Sequence, residues 1–135
     1  MNCMEFINNL KSAFNSLGIN DVYLKNDNLI IPIEKEEGMP GYKIAVSFIE
    51  DGYLSIYTSF KHNVVLKKEL VELFKVINTF NEQTFMKFIV KKEFIKVEYN
   101  IPELQINDID KVIRIISIVP NILYDFYKDL VKYLA

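Results

Sequence analysis

One histidine, one cysteine and a short run of carboxylates are the residues of this chain whose chemistry could support catalysis. A histidine base needs a nucleophile to activate or an acid to orient it, and the sequence places neither beside His62, which we therefore expect to be an exposed loop residue. Cys3 falls on the apolar face of the first expected helix, which favours inert burial over a reactive thiol. Glu34, Glu36 and Glu37 stand next to glycine and proline, so a solvated loop is expected there.

Metal and nucleotide sites lack their usual spacings. With a single histidine and a single cysteine, a zinc site would rely on carboxylates, and no ligand spacing supports one. The four glycines include neither a dinucleotide-binding nor a P-loop arrangement. We therefore expect no catalytic residues, no metal and no cofactor in a non-enzymatic protein. An enzyme stays open as an alternative, since active-site residues can come together from distant sequence positions.

Composition predicts one folded domain, spanning residues 1–135. The chain is 50% hydrophobic and 13% aromatic, which is too apolar for a disordered segment. Its 16 Lys and Arg against 18 Asp and Glu give a net charge of −2, so no broad basic face for a phosphate backbone is expected. Arg114 is the only arginine. No nucleic-acid partner is expected.

The expected location is the cytoplasm. A single cysteine excludes the disulfide framework of a small secreted domain. The N-terminal residues lack the basic start and apolar run of a signal peptide. The most apolar stretch, Val112 to Val119, contains Arg114 and stops at Pro120, so no membrane span is expected.

The chain is organised around Leu70 to Pro102, where the apolar spacing changes from three and four to two, the mark of helix passing into sheet. The expected order is α-β-β-β-α-β-β-α, an α+β fold with a five-stranded antiparallel sheet. The helices are expected at 2–17, 67–80 and 109–134, and the strands at 29–33, 42–49, 53–60, 84–90 and 94–101. In the strand 53–60, alternation predicts a core side with Leu54, Ile56 and Phe60, and a surface side of tyrosines and serines.

Residues that end or interrupt regular secondary structure are expected to set the boundaries of these elements. Gly18 is placed to cap the first helix, and Asn107 or Asp108 to begin the last. Pro32 cannot donate to a ladder, so its strand is expected at the sheet edge or at its own start. Pro120 should kink or break the last helix, whose apolar repeat favours a helix lying on a sheet over a coiled coil.

Three connections carry turn signals. The residues from Asp21 to Lys25 are expected to form an extended connector that leads into a turn. Glu50, Asp51 and Gly52 are typical of a hairpin turn. The segment from Glu34 to Gly41, with two glycines and a charge run, is expected to be a mobile surface excursion.

A recognisable pattern runs through the end of the central helix and the strand after it, in residues Val76, Asn78, Asn81, Phe85, Lys87, Phe88 and Val90. This pattern resembles the YbjN family, described as bacterial sensory transduction regulators. The order of elements is also similar to the type III secretion chaperone-like fold. The resemblance implies a bacterial cytoplasmic protein, often a homodimer, that binds other proteins and contains no catalytic residues. From the residues themselves, the two asparagines are expected to close the helix and shape the turn rather than to bind a ligand.

The central helix and the strand after it carry more apolar residues than a single buried face of each requires. The hypothesis is that these side chains form a homodimer interface or a peptide groove: Val71, Phe74, Phe85, Met86 and Phe88. The alternative is that the strand 84–90, apolar on both faces, is a core strand covered on both sides. The leading function is a chaperone-like adaptor or regulator that binds an unidentified protein. The alternative function is a small-molecule sensor with an apolar pocket between sheet and helix.

Overall fold

The fold is α+β, with three helices and a six-stranded, open antiparallel sheet in the computed structural model, which describes residues 3–49, 52–106 and 108–135. Asn2, Glu50, Asp51 and Asn107, named in the sequence predictions, lie outside the described residues. The elements are α1 (Cys3–Ser16), β1 (Tyr23–Lys25), β2 (Asn28–Ile33), β3 (Tyr42–Ile49), β4 (Tyr53–Lys61), α2 (Lys67–Gln83), β5 (Lys87–Val90), β6 (Phe94–Pro102) and α3 (Ile109–Leu130). Short 3-10 turns follow β6 and α3, at Glu103–Gln105 and Val131–Tyr133.

The sheet contains six strands in the order β1-β2-β3-β4-β6-β5, so the predicted number of five strands is wrong. The additional strand is β1, which the sequence analysis assigned to a connector. Asn26 and Asp27 have φ of 52° and 65°, the left-handed conformation that both central residues of a two-residue type I′ turn require. This turn folds the short β1 back onto β2, where Lys25 pairs with Asn28.

The longest ladder joins β4 to β6 and brings the two halves of the chain together. It runs through nine residue pairs, from Tyr53 opposite Pro102 to Lys61 opposite Phe94. α2 lies between these strands in sequence and leads first to β5, which then pairs with β6 through a hairpin. The predicted succession of helix, strand and strand from Leu70 to Pro102 is therefore confirmed.

The three helices pack on one face of the sheet. That face supplies the alternating buried residues of the strands, and Leu54 and Ile56 of β4 lie on it as predicted, each fully buried. Phe60 is half-buried against the same core. Thr58 is also buried there, and its hydroxyl donates to the backbone carbonyl of Lys43 at 2.7 Å. The predicted core stripe of α3 is confirmed by its buried residues Val112, Ile113, Ile116, Val119, Leu123 and Leu130.

The other face of the sheet, called the open sheet face here, carries no helix of the described chain. Ser55 is 2% exposed although it lies on this side of β4, so the expected tyrosine and serine surface is buried at that point. The face consists of Tyr23 and Lys25 of β1; Asn28, Ile30 and Pro32 of β2; Lys43, Ala45, Ser47 and Ile49 of β3; Tyr53, Ser55, Tyr57, Ser59 and Lys61 of β4; Phe94, Lys96, Glu98, Asn100 and Pro102 of β6; and Lys87 and Ile89 of β5.

The predicted helix caps form. Gly18 has φ of 84°, and its N–H donates to Asn15 while that of Ile19 donates to Phe14, which is the Schellman arrangement. Asp108 begins α3 by accepting the Asp110 N–H at 2.9 Å.

Pro120 and Pro32 both lie inside their secondary-structure elements. Pro120 lies inside α3, which continues through it, so the expected break does not occur. The helix ends at Leu130 rather than at Leu134, because the chain tightens into a 3-10 turn there.

Pro32 pairs with Lys43 of β3, but β1 pairs only with residues Asn28 to Ile30. Its missing N–H therefore falls where β2 has no second strand beside it.

α2 extends to Gln83 instead of Phe80, and β5 begins at Lys87 instead of Thr84. The reason is a side-chain contact from the last turn of the helix. Asn81 accepts the Phe88 N–H at 2.6 Å and donates its amide to the Phe88 carbonyl at 3.1 Å. The side chain thus pairs with the free edge of β5 as a neighbouring strand would, which confirms that Asn81 shapes the turn into this strand.

We expect Asn81→Ala to lower the free energy of unfolding by about 1–2 kcal/mol, because it removes both hydrogen bonds from a partly buried pair of backbone groups. Asn78→Ala on the exposed side of the same helix is the matched control, and it should gain about 0.5 kcal/mol from helix propensity. Urea denaturation of both variants measures the difference. Equal effects at the two positions would contradict the role assigned to Asn81.

Candidate functional site

The five residues expected to form a partner surface divide into two groups. Val71 and Phe74 on α2 are 47% and 48% exposed, and Phe85 is 43% exposed. Met86 and Phe88 are each only 2% exposed. The prediction that all five form one surface is therefore wrong.

Phe88 belongs to the core because α2 and α3 both cover its side of β5. Its ring lies 5.3 Å from that of Phe80 and 5.8 Å from that of Phe126, measured between centroids. Phe80 and Phe126 stack on each other at 4.3 Å. The three rings form an aromatic cluster that fixes α2 and α3 over the edge of the sheet.

Phe85 lies before β5 rather than in it. Its ring packs edge-on against Tyr99 at 4.9 Å, so one side of the ring is used within the fold while the other meets solvent. The alternative that residues 84–90 form a core strand covered on both sides is therefore wrong, because Phe85 lies outside β5 and Lys87 is exposed on the open sheet face. Ile89 is half-buried on that face.

Val71 and Phe74, called the α2 patch here, point away from the stripe that packs on the sheet. The buried residues of this helix are Leu73, Ile77 and Phe80. A spacing of three places Val71 and Phe74 about 60° apart around the helix axis, so they share one flank.

Two further apolar residues, Val65 and Leu66, are 82% and 62% exposed just before the helix. Their exposure was not predicted from the sequence. Their run of apolar residues, with Val64, was the available signal, but Val64 is buried and only its two successors are exposed.

His62 is buried, at 5% exposure, so the expectation of an exposed loop residue is wrong. Its Nδ1 accepts the Val64 N–H at 3.2 Å, which leaves the proton on Nε2, and Nε2 donates to the Lys91 carbonyl at 2.6 Å. The ring therefore connects the end of β4 to the turn between β5 and β6. Both nitrogens are engaged by backbone, and neither is left to act as a base.

Cys3 is a free, exposed thiol, so the expected burial is wrong. It is the first residue of α1, one turn before the first buried residue, Phe6. Within residues 3–49, 52–106 and 108–135, no three histidine, cysteine or acidic side chains form a group that could hold a metal ion.

The loop from Glu34 to Gly41 folds back on the protein. Glu36 and Met39 exchange two backbone hydrogen bonds of 3.0 Å, and the Met39 side chain is 6% exposed. The Tyr124 hydroxyl of α3 donates to the Glu37 carbonyl at 3.4 Å. Glu34, Glu36 and Glu37 themselves are exposed, as expected for a solvated loop.

The space between the sheet and α3 is small. A cavity of about 10 Å³ lies between Tyr42, Met39 and Pro120, which is about the smallest space that can hold one water molecule. The Tyr42 hydroxyl is buried without a hydrogen-bond partner among the described residues. Burial, followed by the nearby charge of Glu36, raises the pKa of Tyr42 to about 12.

Larger grooves open at the surface of the protein. One of about 300 Å³ lies between α2 and the end of α3, beside Phe80 and Lys132. Two others, of about 400 Å³ and 490 Å³, lie on β3 and β4 at Ser59 and around the end of β4 at Lys61.

No family model, no curated protein and no solved structure matches this chain. None of the described helices combines the length and the apolar character that crossing a bilayer requires.

We expect His62→Phe to lower the free energy of unfolding by about 1–3 kcal/mol, because the buried Val64 N–H loses its acceptor while the ring volume is kept. Hydrogen exchange should show faster exchange of the Val64 amide, and long-range proton–nitrogen NMR of the wild type should show the proton on Nε2. Unchanged stability would contradict the structural role of this ring.

Tyr42 should ionise at about pH 12 rather than near its ordinary value of 10.0. The folded protein then keeps the phenol proton to higher pH than the unfolded chain does. The contribution of Tyr42 to the free energy of unfolding is therefore complete below pH 10.0 and is lost as the pH rises towards 12. Tyrosinate absorbance and alkaline unfolding measure both effects. Tyr42→Phe should remove this part of the pH dependence, and Glu36→Gln should lower the pKa of Tyr42.

Proposed function

We propose that this chain is a non-enzymatic protein-binding module, a chaperone-like adaptor or regulator of the bacterial cytoplasm. We also propose that it belongs to the YbjN-like proteins of type III secretion chaperone-like fold. The observation that supports a binding role is the exposure of apolar side chains along one flank of α2, where about half of Val71 and Phe74 meets solvent.

The occupant we propose for the α2 patch is a second copy of this chain. In a two-fold symmetric dimer the same patch is used twice, so each apolar contact counts for both protomers. Complete burial of a valine or phenylalanine side chain is worth about 1.5–3 kcal/mol relative to full exposure, and these two are already half-buried. Four such side chains would contribute to the interface.

The charges of α2 are compatible with self-association. Its sequence carries three lysines and three glutamates, so the helix is neutral overall. Two copies can approach each other without net repulsion, and opposite charges can be paired across the interface. An interface with a strongly charged partner would favour one sign on this helix.

The non-enzymatic part of the proposal is supported by the position of the histidine. Both nitrogens of His62 are hydrogen-bonded to backbone groups, so the ring has a structural role that accounts for its burial. The alternative function, a small-molecule sensor with a pocket between sheet and helix, is not favoured by a cavity of about 10 Å³ in that place.

We expect the wild-type protein to sediment as a dimer and the double variant Val71→Glu with Phe74→Glu to sediment as a folded monomer. The circular dichroism of the variant should match wild type, because neither side chain lies in the core. Phe85 is a poorer test, since its ring also packs on Tyr99 within the protomer.

The matched control is Asn9→Glu with Asn121→Glu, which adds the same charge at exposed positions of α1 and α3. This control should remain dimeric. A monomeric wild type would contradict the dimer, and so would a dimer that survives the substitutions in the α2 patch.

A further inference from the structure

The open sheet face has a charge opposite to that of the whole chain. It carries five lysines, Lys25, Lys43, Lys61, Lys87 and Lys96, against the single carboxylate of Glu98. The described face therefore has an excess of four positive charges in a chain whose net charge is −2. The face holds five of the 16 positive side chains of the chain and only one of its 18 acidic ones, so the acidic excess lies elsewhere.

The one ion pair on this face leaves most of the lysines available. Lys96 Nζ lies 3.1 Å from a carboxylate oxygen of Glu98. Lys96 also lies over the ring of Tyr57, at 5.0 Å from the centroid, and Lys43 lies over the ring of Tyr23 at 5.8 Å. Lys25, Lys61 and Lys87 are exposed.

The register of the strands brings three of these lysines to one end of the face. Ser59 of β4 pairs with Lys96 of β6, and Lys61 of β4 pairs with Phe94. Lys43 lies on β3, the strand on the other side of β4, and lines the groove of about 400 Å³ together with Ser59. Since neighbouring strands lie about 4.8 Å apart, Lys43 and Lys96 stand on either side of Ser59.

A second groove continues from this end of the sheet. It has a volume of about 490 Å³ and is lined by Lys61, Phe94, Val65 and Lys92 among others. Glu93 also lies on its rim. Lys61 and Phe94 belong to both the open sheet face and this groove, so the basic end of the face leads directly into a groove of mixed apolar and charged lining.

The apolar content of the open sheet face is unlike that of a purely solvated surface. Ile49, Tyr53 and Phe94 are 40%, 38% and 38% exposed. Small side chains form the floor between them, and Ser47 and Ser55 are only 7% and 2% exposed although none of the described helices covers them. The serines therefore form a shallow depression in the face, and the larger aromatic and aliphatic side chains project around it.

We propose that the open sheet face docks an acidic polypeptide segment that also carries apolar side chains. The excess of four lysines supplies the charge complementarity, and the exposed isoleucine and aromatic side chains supply the apolar contact. This surface is separate from the α2 patch and is proposed independently of it.

A single-stranded nucleic acid fits this face less well. Base stacking needs aromatic rings whose faces are free, and two of the four aromatic side chains of this face, Tyr23 and Tyr57, have a lysine over the ring. Arg114, the only arginine of the chain, lies on α3 and not on the sheet. The exposed Ile49 side chain matches a polypeptide better than bases or phosphates.

The test measures binding of a short fluorescein-labelled peptide of alternating Glu and Leu by fluorescence anisotropy with the full chain. A Glu/Ser peptide and an oligothymidylate, both of similar length, serve as comparison probes. We expect the Glu/Leu peptide to bind the most tightly, and its affinity to fall as the NaCl concentration rises.

The variant Lys43→Glu with Lys61→Glu should weaken binding of the Glu/Leu peptide by at least about tenfold, because it reverses two charges of the basic end. Lys111→Glu with Lys128→Glu makes the same charge change at exposed positions of α3, which packs on the other face of the sheet, and should stay within about twofold of wild type. Circular dichroism and thermal melting confirm that both variants are folded.

Four results would overturn the proposal. The first is no binding of the Glu/Leu peptide, and the second is equal loss of its binding in both variants. The third is equal affinity for the Glu/Ser peptide, which would remove the apolar contribution. The fourth is tighter binding of oligothymidylate that is lost in the Lys43 and Lys61 variant, which would assign the face to nucleic acid. Since the sedimentation test uses variants on α2, failure of either proposal leaves the other standing.

Discussion

The β4–β6 ladder is the constraint on which the rest of this structure depends. Its nine residue pairs join strands that are separated in sequence by α2 and β5, and thereby fix which face of the sheet the helices cover. Once β6 pairs with β4, the chain between them must place α2 over the edge strand β5. The aromatic cluster of Phe80, Phe88 and Phe126 and the contact of Asn81 with Phe88 then hold the helix in that position.

Much of the fold could be predicted because its elements follow from local periodicity. The three helices, five of the six strands and the caps at Gly18 and Asp108 were predicted from apolar spacing and capping residues. β1 was missed because three residues are too few to show alternation, and the turn at Asn26 and Asp27 carries no glycine.

The errors at individual side chains came from contacts between distant segments. His62 was expected in solvent, and its burial depends on Lys91, which only the folded hairpin brings to it. Met86 and Phe88 were assigned to a partner surface because the sequence alone does not show that α2 and α3 both pack over β5. The lysines of the open sheet face were hidden for a related reason, since net charge averages over two sides of the protein that differ in sign.

Asn81 and Pro32 have a further consequence for how this protein can assemble. A foreign strand that added to β5 would need the N–H and carbonyl of Phe88, which the Asn81 amide already holds. At the opposite border, β1 is three residues long, and Pro32 offers no donor where β1 stops. Both borders of the sheet thus resist edge-to-edge aggregation, and association is directed to its faces and helices.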